Sequence, residues 1–199
     1  MRIVLASASP SRLAILRGAG VEPVVHPADV DEARLLESMG DAGAAEKILA
    51  LSQAKAETVA ASYPNDVVIG CDSMLLLPGE LQGKPLTVEA TIERWKQQSG
   101  SRAELVTGHC IIAPGGNERV LEAATTGVVF AEVSDADIEA YANSGEPLHC
   151  AGAFTLEALG GWFIDRIEGD PSNVIGLSLP LVRRALYQFG HNVSDCWIR

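Results

Sequence analysis

Short apolar runs alternate along the chain with segments that are apolar on one side only, and this pattern predicts strands interspersed with helices. Apolar residues at helical spacing predict a long helix over residues 44–61. A continuous apolar run over residues 67–72 predicts a buried strand that ends in an acid, Asp72. Residues 78–80, Pro-Gly-Glu, predict a hairpin turn. The other predicted strands cover residues 3–5, 24–25, 75–77, 105–113, 120–132, 151–156 and 162–167, and the other predicted helices cover residues 10–18, 87–98, 134–143 and 180–188.

These helices and long antiparallel pairs indicate an α/β or α+β fold built on a large mixed sheet. The chain has 199 residues, 47% of them hydrophobic, which excludes general disorder. No apolar run approaches the ~20 residues of a membrane span. The N-terminus has no charged leader followed by a long apolar segment. We therefore expect a cytoplasmic protein that does not bind membranes.

The net charge of −11 predicts a poor general binder of nucleic acid or anionic membranes. A phosphate ligand would need cations concentrated locally, with help from a divalent metal. The four cysteines are widely spaced and form no C-x-x-C pair, which argues against a zinc site or a disulfide scaffold. We expect most of them to be buried free thiols.

The segment over residues 5–12 runs from the first strand through small hydroxyl residues into a helix. A helix start offers unpaired backbone N–H groups and the positive end of the macrodipole, so it suits a phosphate. Ser7, Ser9 and Ser11 add hydroxyl donors, and Arg12 adds a cation with forked donors. The alternative is an ordinary helix N-terminus capped by a serine.

Carboxylates that could carry chemistry occur at two places. Asp72 lies where α/β proteins place ligand chemistry, and it can act as a general base, as a metal ligand or as a cap of the next turn. Asp29, Asp31 and Glu32 form an acidic cluster, which can coordinate a divalent cation through oxygen or can simply face solvent.

Two lysines are candidates for phosphate contacts. Lys84 lies between Gly83 and Pro85 on a stiff loop, and Lys55 lies at the edge of the apolar stripe of the long helix. Each can instead be a surface lysine whose stem covers apolar neighbours. Breaks of small residues at 152–154 and 159–162 can shape a base-binding pocket, or can mark sheet twist or bulges.

In their order and spacing these segments resemble the Maf-type nucleoside triphosphate pyrophosphatases over nearly the whole chain. So many blocks in one order are far more specific than any one of them. The blocks are LASASPSR (5–12), VDE (30–32), KAETVA (55–60), IGCDS (69–73), GKP (83–85), SG (99–100), TG (107–108), GEP (145–147), AGAF (151–154), RIEGD (166–170) and SNVIGL (172–177).

The resemblance implies a single α/β domain over residues 1–199, with an elongated mixed sheet, flanking helices and two lobes around a nucleotide cleft, similar to inosine triphosphate pyrophosphatases. It implies hydrolysis of a nucleoside triphosphate between the α and β phosphates, with Mg²⁺ or Mn²⁺ as cofactor. It further implies a housecleaning role against noncanonical nucleotides, a link to cell-division arrest, and a homodimer.

Residue by residue, the resemblance assigns one catalytic base, Asp72, and two acidic side chains for the metal, Asp31 and Asp72. It assigns five side chains to the triphosphate: Ser7, Ser9, Arg12, Lys55 and Lys84. Together with a metal, the three cations among them, Arg12, Lys55 and Lys84, can offset the roughly four negative charges of a triphosphate.

Three positions depart from the family pattern and look like positions that select the substrate. Many members have Arg in place of Ser11, the usual residue at Ser73 is Thr, and pyrimidine-specific members have Gln in place of Glu157. Residues 148–152 and Glu157 lean toward the 7-methyl-GTP subgroup, while residues 71–74 and 160–165 look like those of actinobacterial members. A carboxylate repels pyrimidine carbonyls but pairs with the N–H donors of guanine, so Glu157 predicts a preference for guanine-like triphosphates.

Two other functions compete with the enzyme. One is a nucleotide-binding regulator of cell division with little turnover, and the other is a structural interaction module. The acidic composition fits the interaction module but leaves the clustering of family blocks unexplained. The presence of Asp72, Lys55 and Lys84 favours the enzyme.

Overall fold

The computed structural model describes residues 1–78 and 80–198. Its strands are β1 (Ile3–Leu5), β2 (Val24–Val25), β3 (Val67–Leu77), β4 (Glu80–Gln82), β5 (Arg102–Ile112), β6 (Arg119–Phe130) and β7 (Ile164–Glu168). Its α-helices are α1 (Pro10–Gly18), α2 (Glu32–Ser38), α3 (Ala44–Ala60), α4 (Val88–Gln98), α5 (Asp135–Asn143), α6 (Pro171–Ile175) and α7 (Leu179–Gln188). Short 3-10 helices cover Glu146–His149, Ala151–Ala153, Leu159–Phe163 and Val193–Cys196.

One seven-stranded mixed sheet runs through the chain in the order β2-β1-β3-β5-β6-β7, with β4 paired to β3. Strand β1 is parallel to β2 and β3, whereas β4 is antiparallel to β3, and β7 is antiparallel to β6. The predicted large mixed α/β sheet with flanking helices is thereby confirmed. The predicted hairpin is also present, since Leu77 pairs with Glu80. The Gly79 of its predicted turn lies outside the described residues.

Contacts divide the chain into two compact units. The first consists of Met1–Asp72, Thr107–Ala124 and the chain from Gly176 onwards. In its strands the side chains alternate between two cores, as the period of two requires. Ile3 and Leu5 pack with helices α1 and α7, while Val4 between them packs with helix α3.

The second unit consists of Ser73–Val106 and Thr125–Ile175, and its core is built around Trp95. Trp95 is 0% exposed and makes edge-to-face contacts with three rings, those of Phe130, Tyr141 and Phe163, at centroid distances of 5.5, 5.6 and 5.5 Å. Its indole N–H donates to the Ala153 carbonyl at 2.7 Å, so the polar edge of the ring is also satisfied.

Two predicted features of the strands are wrong. Strand β3 does not stop at Asp72 but runs on to Leu77, so Asp72 lies in mid-strand. No strand forms over residues 151–156, because Gly152 and Ala153 have positive φ angles of 70° and 59°, and a 3-10 helix forms there.

Several helix boundaries follow from caps that the sequence shows. The Thr87 hydroxyl accepts from the Ala90 N–H, and the Ser134 hydroxyl accepts from the Asp137 N–H, so α4 and α5 begin where predicted. Helices α2 and α6 were not predicted. No helix within residues 1–78 and 80–198 is long and apolar enough to cross a membrane. The single domain over 1–199 stays a prediction.

Candidate active site

Three charged side chains of the first unit meet at strand β3. The Lys55 Nζ donates to the Asp72 Oδ1 at 2.6 Å and lies 2.9 Å from the Glu32 Oε1. Only 12% of the Lys55 side chain and 13% of the Asp72 side chain is exposed. Glu32 is about half exposed, and two carboxylates against one ammonium leave one net negative charge, which favours binding of a further cation.

Glycines bring helix α3, which carries Lys55, close to the sheet. A Cβ added at Gly70 of β3 would lie 2.4 Å from the Ser52 carbonyl oxygen and 2.6 Å from the Ala56 nitrogen, both on α3. Gly108 of β5 meets the same helix in the same way, with its Cβ 2.6 Å from the Ser52 Oγ. The helix therefore touches the strand backbone, and Lys55 reaches Asp72 from one turn further along.

Arg12 ties the loop after β1 to the strand that carries Asp72. Its Nη1 donates to the Ser7 hydroxyl at 3.1 Å and to the Cys71 carbonyl at 3.0 Å, and its Nε donates to the Gly176 carbonyl at 2.8 Å. The residue is 9% exposed, so the forked cation is held rigidly beside the residue that precedes Asp72.

The serines of the predicted phosphate loop shape the start of helix α1. Ser9 is its N-cap and accepts from the Arg12 N–H at 3.4 Å, while Ser7 accepts from the Ser9 N–H at 3.2 Å. Ser11 is half-buried in the first turn. The interpretation of this segment as a serine-capped helix N-terminus is therefore confirmed. The capped N-terminus of this nine-residue helix lies next to the Arg12 guanidinium.

The acidic cluster is divided by helix α2, which begins inside it. Asp31 is the exposed N-cap, and its Oδ1 accepts from the Arg34 N–H at 3.0 Å. Glu32, the next residue, is the acid that reaches Lys55. Within residues 1–78 and 80–198 no group of three or more His, Cys, Asp or Glu is placed to hold a metal ion. The assignment of Asp31 to a metal stays a prediction.

The thiol next to Asp72 is poorly suited to act as a nucleophile. Cys71 is fully buried, and burial raises the pKa of its thiol to about 11. Cys110 and Cys196 are likewise free and buried, and Cys150 is free and half-buried, which confirms the expected free thiols.

In the second unit, Lys84 and Glu157 lie near one thiol. Burial first, and then Glu157 and Glu146, raise the pKa of Cys150 to about 11, while Lys84 acts in the opposite direction. Lys84 is exposed on a loop whose Gly83 carbonyl accepts from the Gly152 N–H at 3.1 Å. The loop is thereby fixed to the segment that precedes Glu157.

The candidate specificity residues have contrasting surroundings. Glu157 is exposed, and its Oε2 accepts only a local hydrogen bond, from the Leu156 N–H at 3.1 Å, among the contacts described. Arg166, a cation that could neutralise it, pairs instead with Glu168 at 2.6 Å. Ser73 is half-buried in β3, directly after Asp72.

Glu146 belongs to the GEP block, but no sequence pattern predicted a role for it. Its carboxylate accepts hydrogen bonds from the Tyr141 and Thr155 hydroxyls and from the Leu159 and Gly160 N–H groups. Burial acts to raise the pKa of this carboxyl, but the hydrogen bonds outweigh it and hold the pKa below its ordinary value. The carboxylate therefore stays ionised at the centre of a polar network.

Comparison with known proteins gives consistent relatives over the full chain. A family profile described as Maf-like protein matches residues 2–189. The chain is 69% identical over 197 residues to a nucleoside triphosphate pyrophosphatase of Corynebacterium diphtheriae, covering 99% of this chain and 98% of the relative. It is 66% identical over 197 residues to the protein of that name from Corynebacterium glutamicum, covering 99% of each. A Nocardia farcinica protein of that name is 52% identical over 203 residues, covering 98% and 96%.

Proposed function

This chain belongs to the Maf family and is a nucleoside triphosphate pyrophosphatase, and from that premise we propose how its residues perform the reaction. The observation that carries the proposal is the Lys55–Asp72 contact of 2.6 Å, with both side chains nearly buried. A carboxylate fixed in this way, beside a loop suited to phosphate, supports a role for Asp72 as the general base.

In the proposed reaction, Asp72 activates a water molecule for attack on the α-phosphorus. The Asp72 Oδ1 is occupied by Lys55, so the other oxygen, Oδ2, takes the proton of the attacking water. A bond forms between the water oxygen and phosphorus, the bond to the β-phosphate oxygen breaks, and pyrophosphate leaves. The products are a nucleoside monophosphate, pyrophosphate and a proton on Asp72, which passes to solvent.

The triphosphate is bound by side chains that supply fixed donors and positive charge. Arg12 is held by Ser7, Cys71 and Gly176, which supports a preorganised cation that costs little reorganisation when phosphate arrives. The N-terminus of α1, capped by Ser9, adds backbone N–H donors. Lys55 and Lys84 are proposed to complete the set.

A divalent cation, Mg²⁺ or Mn²⁺, fits the donors near Asp72. Asp72 and Glu32 place two hard oxygen ligands around one ammonium, and Asp31, the N-cap of α2, directly precedes Glu32. Mg²⁺ is commonly held by one or two carboxylates together with substrate phosphates, so no complete protein cage is needed. When bound, the cation neutralises charge on the transferring phosphate, and it reverses the net negative sign of the cluster.

The base is proposed to be selected by Glu157, with Ser11 and Ser73 as further selecting positions. The Glu157 side chain is exposed and therefore accessible to a ligand, and Arg166 is paired with Glu168. A carboxylate accepts from the N1–H and 2-amino groups of guanine, and a cationic 7-methylguanine gains further attraction. We therefore expect 7-methyl-GTP or another guanine-like triphosphate to be hydrolysed faster than dTTP or UTP.

The deciding experiment is a screen of the purified protein against ordinary and modified nucleoside triphosphates, measuring pyrophosphate with Mg²⁺ or Mn²⁺ present. Release of one pyrophosphate per monophosphate supports the proposed cleavage, whereas tight binding without turnover would support the regulator instead. Catalytic efficiencies on 7-methyl-GTP, GTP, dTTP and UTP, for the natural protein and for Glu157→Gln, test base selection. A natural protein that prefers dTTP or UTP would contradict the role of Glu157 and leave the activity standing.

The cellular setting is proposed on the same grounds. An enzyme that removes noncanonical nucleotides works on the nucleotide pool, so we propose a cytoplasmic protein. The homodimer is proposed from the family resemblance alone. Analytical ultracentrifugation of the purified chain tests the dimer directly.

A further inference from the structure

One carboxylate closes both ends of the loop that presents Glu157, and we call residues 155–160 the selectivity loop. At its start, the Thr155 hydroxyl donates to the Glu146 Oε1. At its end, the Gly160 N–H donates to the same oxygen at 3.1 Å, and the Leu159 N–H donates to the Glu146 Oε2 at 3.2 Å. Glu157 is exposed between these two anchored ends.

The selectivity loop is closed tightly around this carboxylate. A Cβ added at Gly160 would lie 2.5 Å from the Thr155 carbonyl oxygen and 2.5 Å from the Tyr141 hydroxyl. Tyr141 also accepts from the Thr155 N–H at 3.2 Å while it donates to the Glu146 Oε1 at 3.2 Å. Its ring is fixed against Trp95 in the core of the second unit. The conformation of the loop is therefore supported by charge-assisted hydrogen bonds to a half-buried carboxylate.

We propose that Glu146 is a positioning residue for base selection, acting through the conformation of the selectivity loop. The inference rests on the proposed role of Glu157 in contacting the base. Discrimination between bases requires the Glu157 carboxylate at a fixed place, since a loosened loop lets the same side chain meet guanine and pyrimidine edges in several geometries. Without Glu146 the Leu159 and Gly160 N–H groups and the Thr155 hydroxyl lose their shared acceptor, so each end of the loop loses one of its anchors.

The test compares the selectivity ratio, kcat/KM on 7-methyl-GTP divided by kcat/KM on UTP, in four variants. Glu146→Gln keeps the volume but places an amide NH₂ among N–H donors, and Glu146→Ala removes the acceptor altogether. Tyr141→Phe removes one member of the network and keeps the ring in the core. Glu139→Gln, an exposed acid on α5, is the matched control.

We expect the ratio to fall about tenfold in both Glu146 variants, which is the order of one well-placed base contact. Tyr141→Phe should lower it less, and Glu139→Gln should leave it unchanged. Hydrogen exchange measured on a peptide spanning residues 156–163 should accelerate in the same order. A fall in activity that is equal on both substrates, with the ratio preserved, would overturn the proposal, because a purely structural role predicts that result.

Glu157→Gln, measured in parallel, separates the two hypotheses. If Glu157→Gln shifts the ratio while all Glu146 and Tyr141 variants keep it, then Glu157 selects the base and Glu146 does not position it. If Glu157→Gln leaves the ratio unchanged, base selection by this loop is wrong, and the positioning role is overturned with it. If the Glu146 variants do not fold, the Tyr141→Phe ratio and its hydrogen exchange decide the question alone.

Discussion

Lys55 contacts Asp72 because helix α3 lies directly on the strand backbone at Gly70. The contact of 2.6 Å between the Lys55 Nζ and the Asp72 Oδ1 joins a helix to a strand 17 residues further along the chain. The space for it exists only because Gly70 has no side chain, since its Cβ would lie 2.4 Å from the Ser52 carbonyl oxygen. Gly70, which lets α3 pack on the strand, and Asp72, which contacts Lys55, therefore lie two residues apart in β3.

Gly70→Ala should destabilise the first unit and lower activity together. The added methyl would force α3 away from β3, and overpacking of this kind costs about 1–3 kcal/mol. The measurement is chemical denaturation combined with kcat/KM. Gly18→Ala is the matched control, because a Cβ there meets nothing within 4 Å and should leave both quantities nearly unchanged. Equal behaviour of the two variants would show that α3 is not held by this contact.

Asp72→Asn should abolish the base while it keeps the shape of the side chain. Loss of a general base lowers turnover by about 10²–10⁴-fold, so we expect a fall of that order in kcat, with nucleotide binding largely kept. Pyrophosphate release measures turnover, and calorimetry with a non-hydrolysable triphosphate measures binding. Asp41→Asn, at an exposed turn of the same unit, is the control. Turnover close to that of the natural protein would remove Asp72 from the mechanism.

Lys55→Ala and Lys84→Ala should each reduce catalytic efficiency on a triphosphate. A hydrogen bond to a charged group contributes about 1.5–3 kcal/mol, which corresponds to a loss of roughly ten- to a hundredfold in kcat/KM. Lys96→Ala, an exposed lysine of α4, should have no effect. If all three variants turn over substrate alike, Lys55 and Lys84 are ordinary surface or structural lysines.

How far the sequence predicts this site depends on whether a contact is local. The helix over residues 44–61 and the start of β3 follow from periodicity and from the apolar run, so Lys55 and Asp72 could be singled out. The apolar pattern is interrupted at Ser73, so the sequence predicted two strands, 67–72 and 75–77, where the structure has one. Asp72 was therefore predicted at a strand end and lies in mid-strand. No pattern predicted the helix that begins at Glu32, although Asp31 is a good N-cap for it and the helix carries Glu32 to Lys55.

Contacts distant along the chain had no signal in a single sequence. Arg12 donates to the Gly176 carbonyl, 164 residues away, and any residue can supply a carbonyl. The network of Glu146 is also set by tertiary structure, because its backbone donors, Leu159 and Gly160, come from a 3-10 helix that no sequence pattern predicted. Backbone groups brought together by folding are therefore the part that sequence patterns leave out.

The stability that Glu146 contributes should disappear in acid. Burial acts first to raise the pKa of its carboxyl, yet the hydrogen bonds hold the pKa below the ordinary value of 4.5. A lowered pKa in the folded state means that this stability is fully present above pH 4.5 and is lost as the pH falls through the folded value. Denaturation measured between pH 7 and pH 3 should show a smaller decline for Glu146→Gln than for the natural protein. Parallel declines would show that the network does not depend on ionisation of Glu146.

Metal should be required for activity but should bind weakly until a nucleotide is present. Asp72 and Glu32 offer hard oxygen ligands, and the ammonium of Lys55 between them competes with a cation. The phosphates of the substrate supply the remaining oxygens, so Mg²⁺ and triphosphate should bind cooperatively.

Chelation should abolish pyrophosphate release without unfolding the protein, and Mg²⁺ or Mn²⁺ should restore it. Calorimetry should detect little Mg²⁺ binding to the protein alone and clear binding with a non-hydrolysable triphosphate, and Glu32→Gln should weaken only the second. Full activity after exhaustive chelation would contradict the requirement, and tight binding of Mg²⁺ to the nucleotide-free protein would contradict a site completed by phosphate.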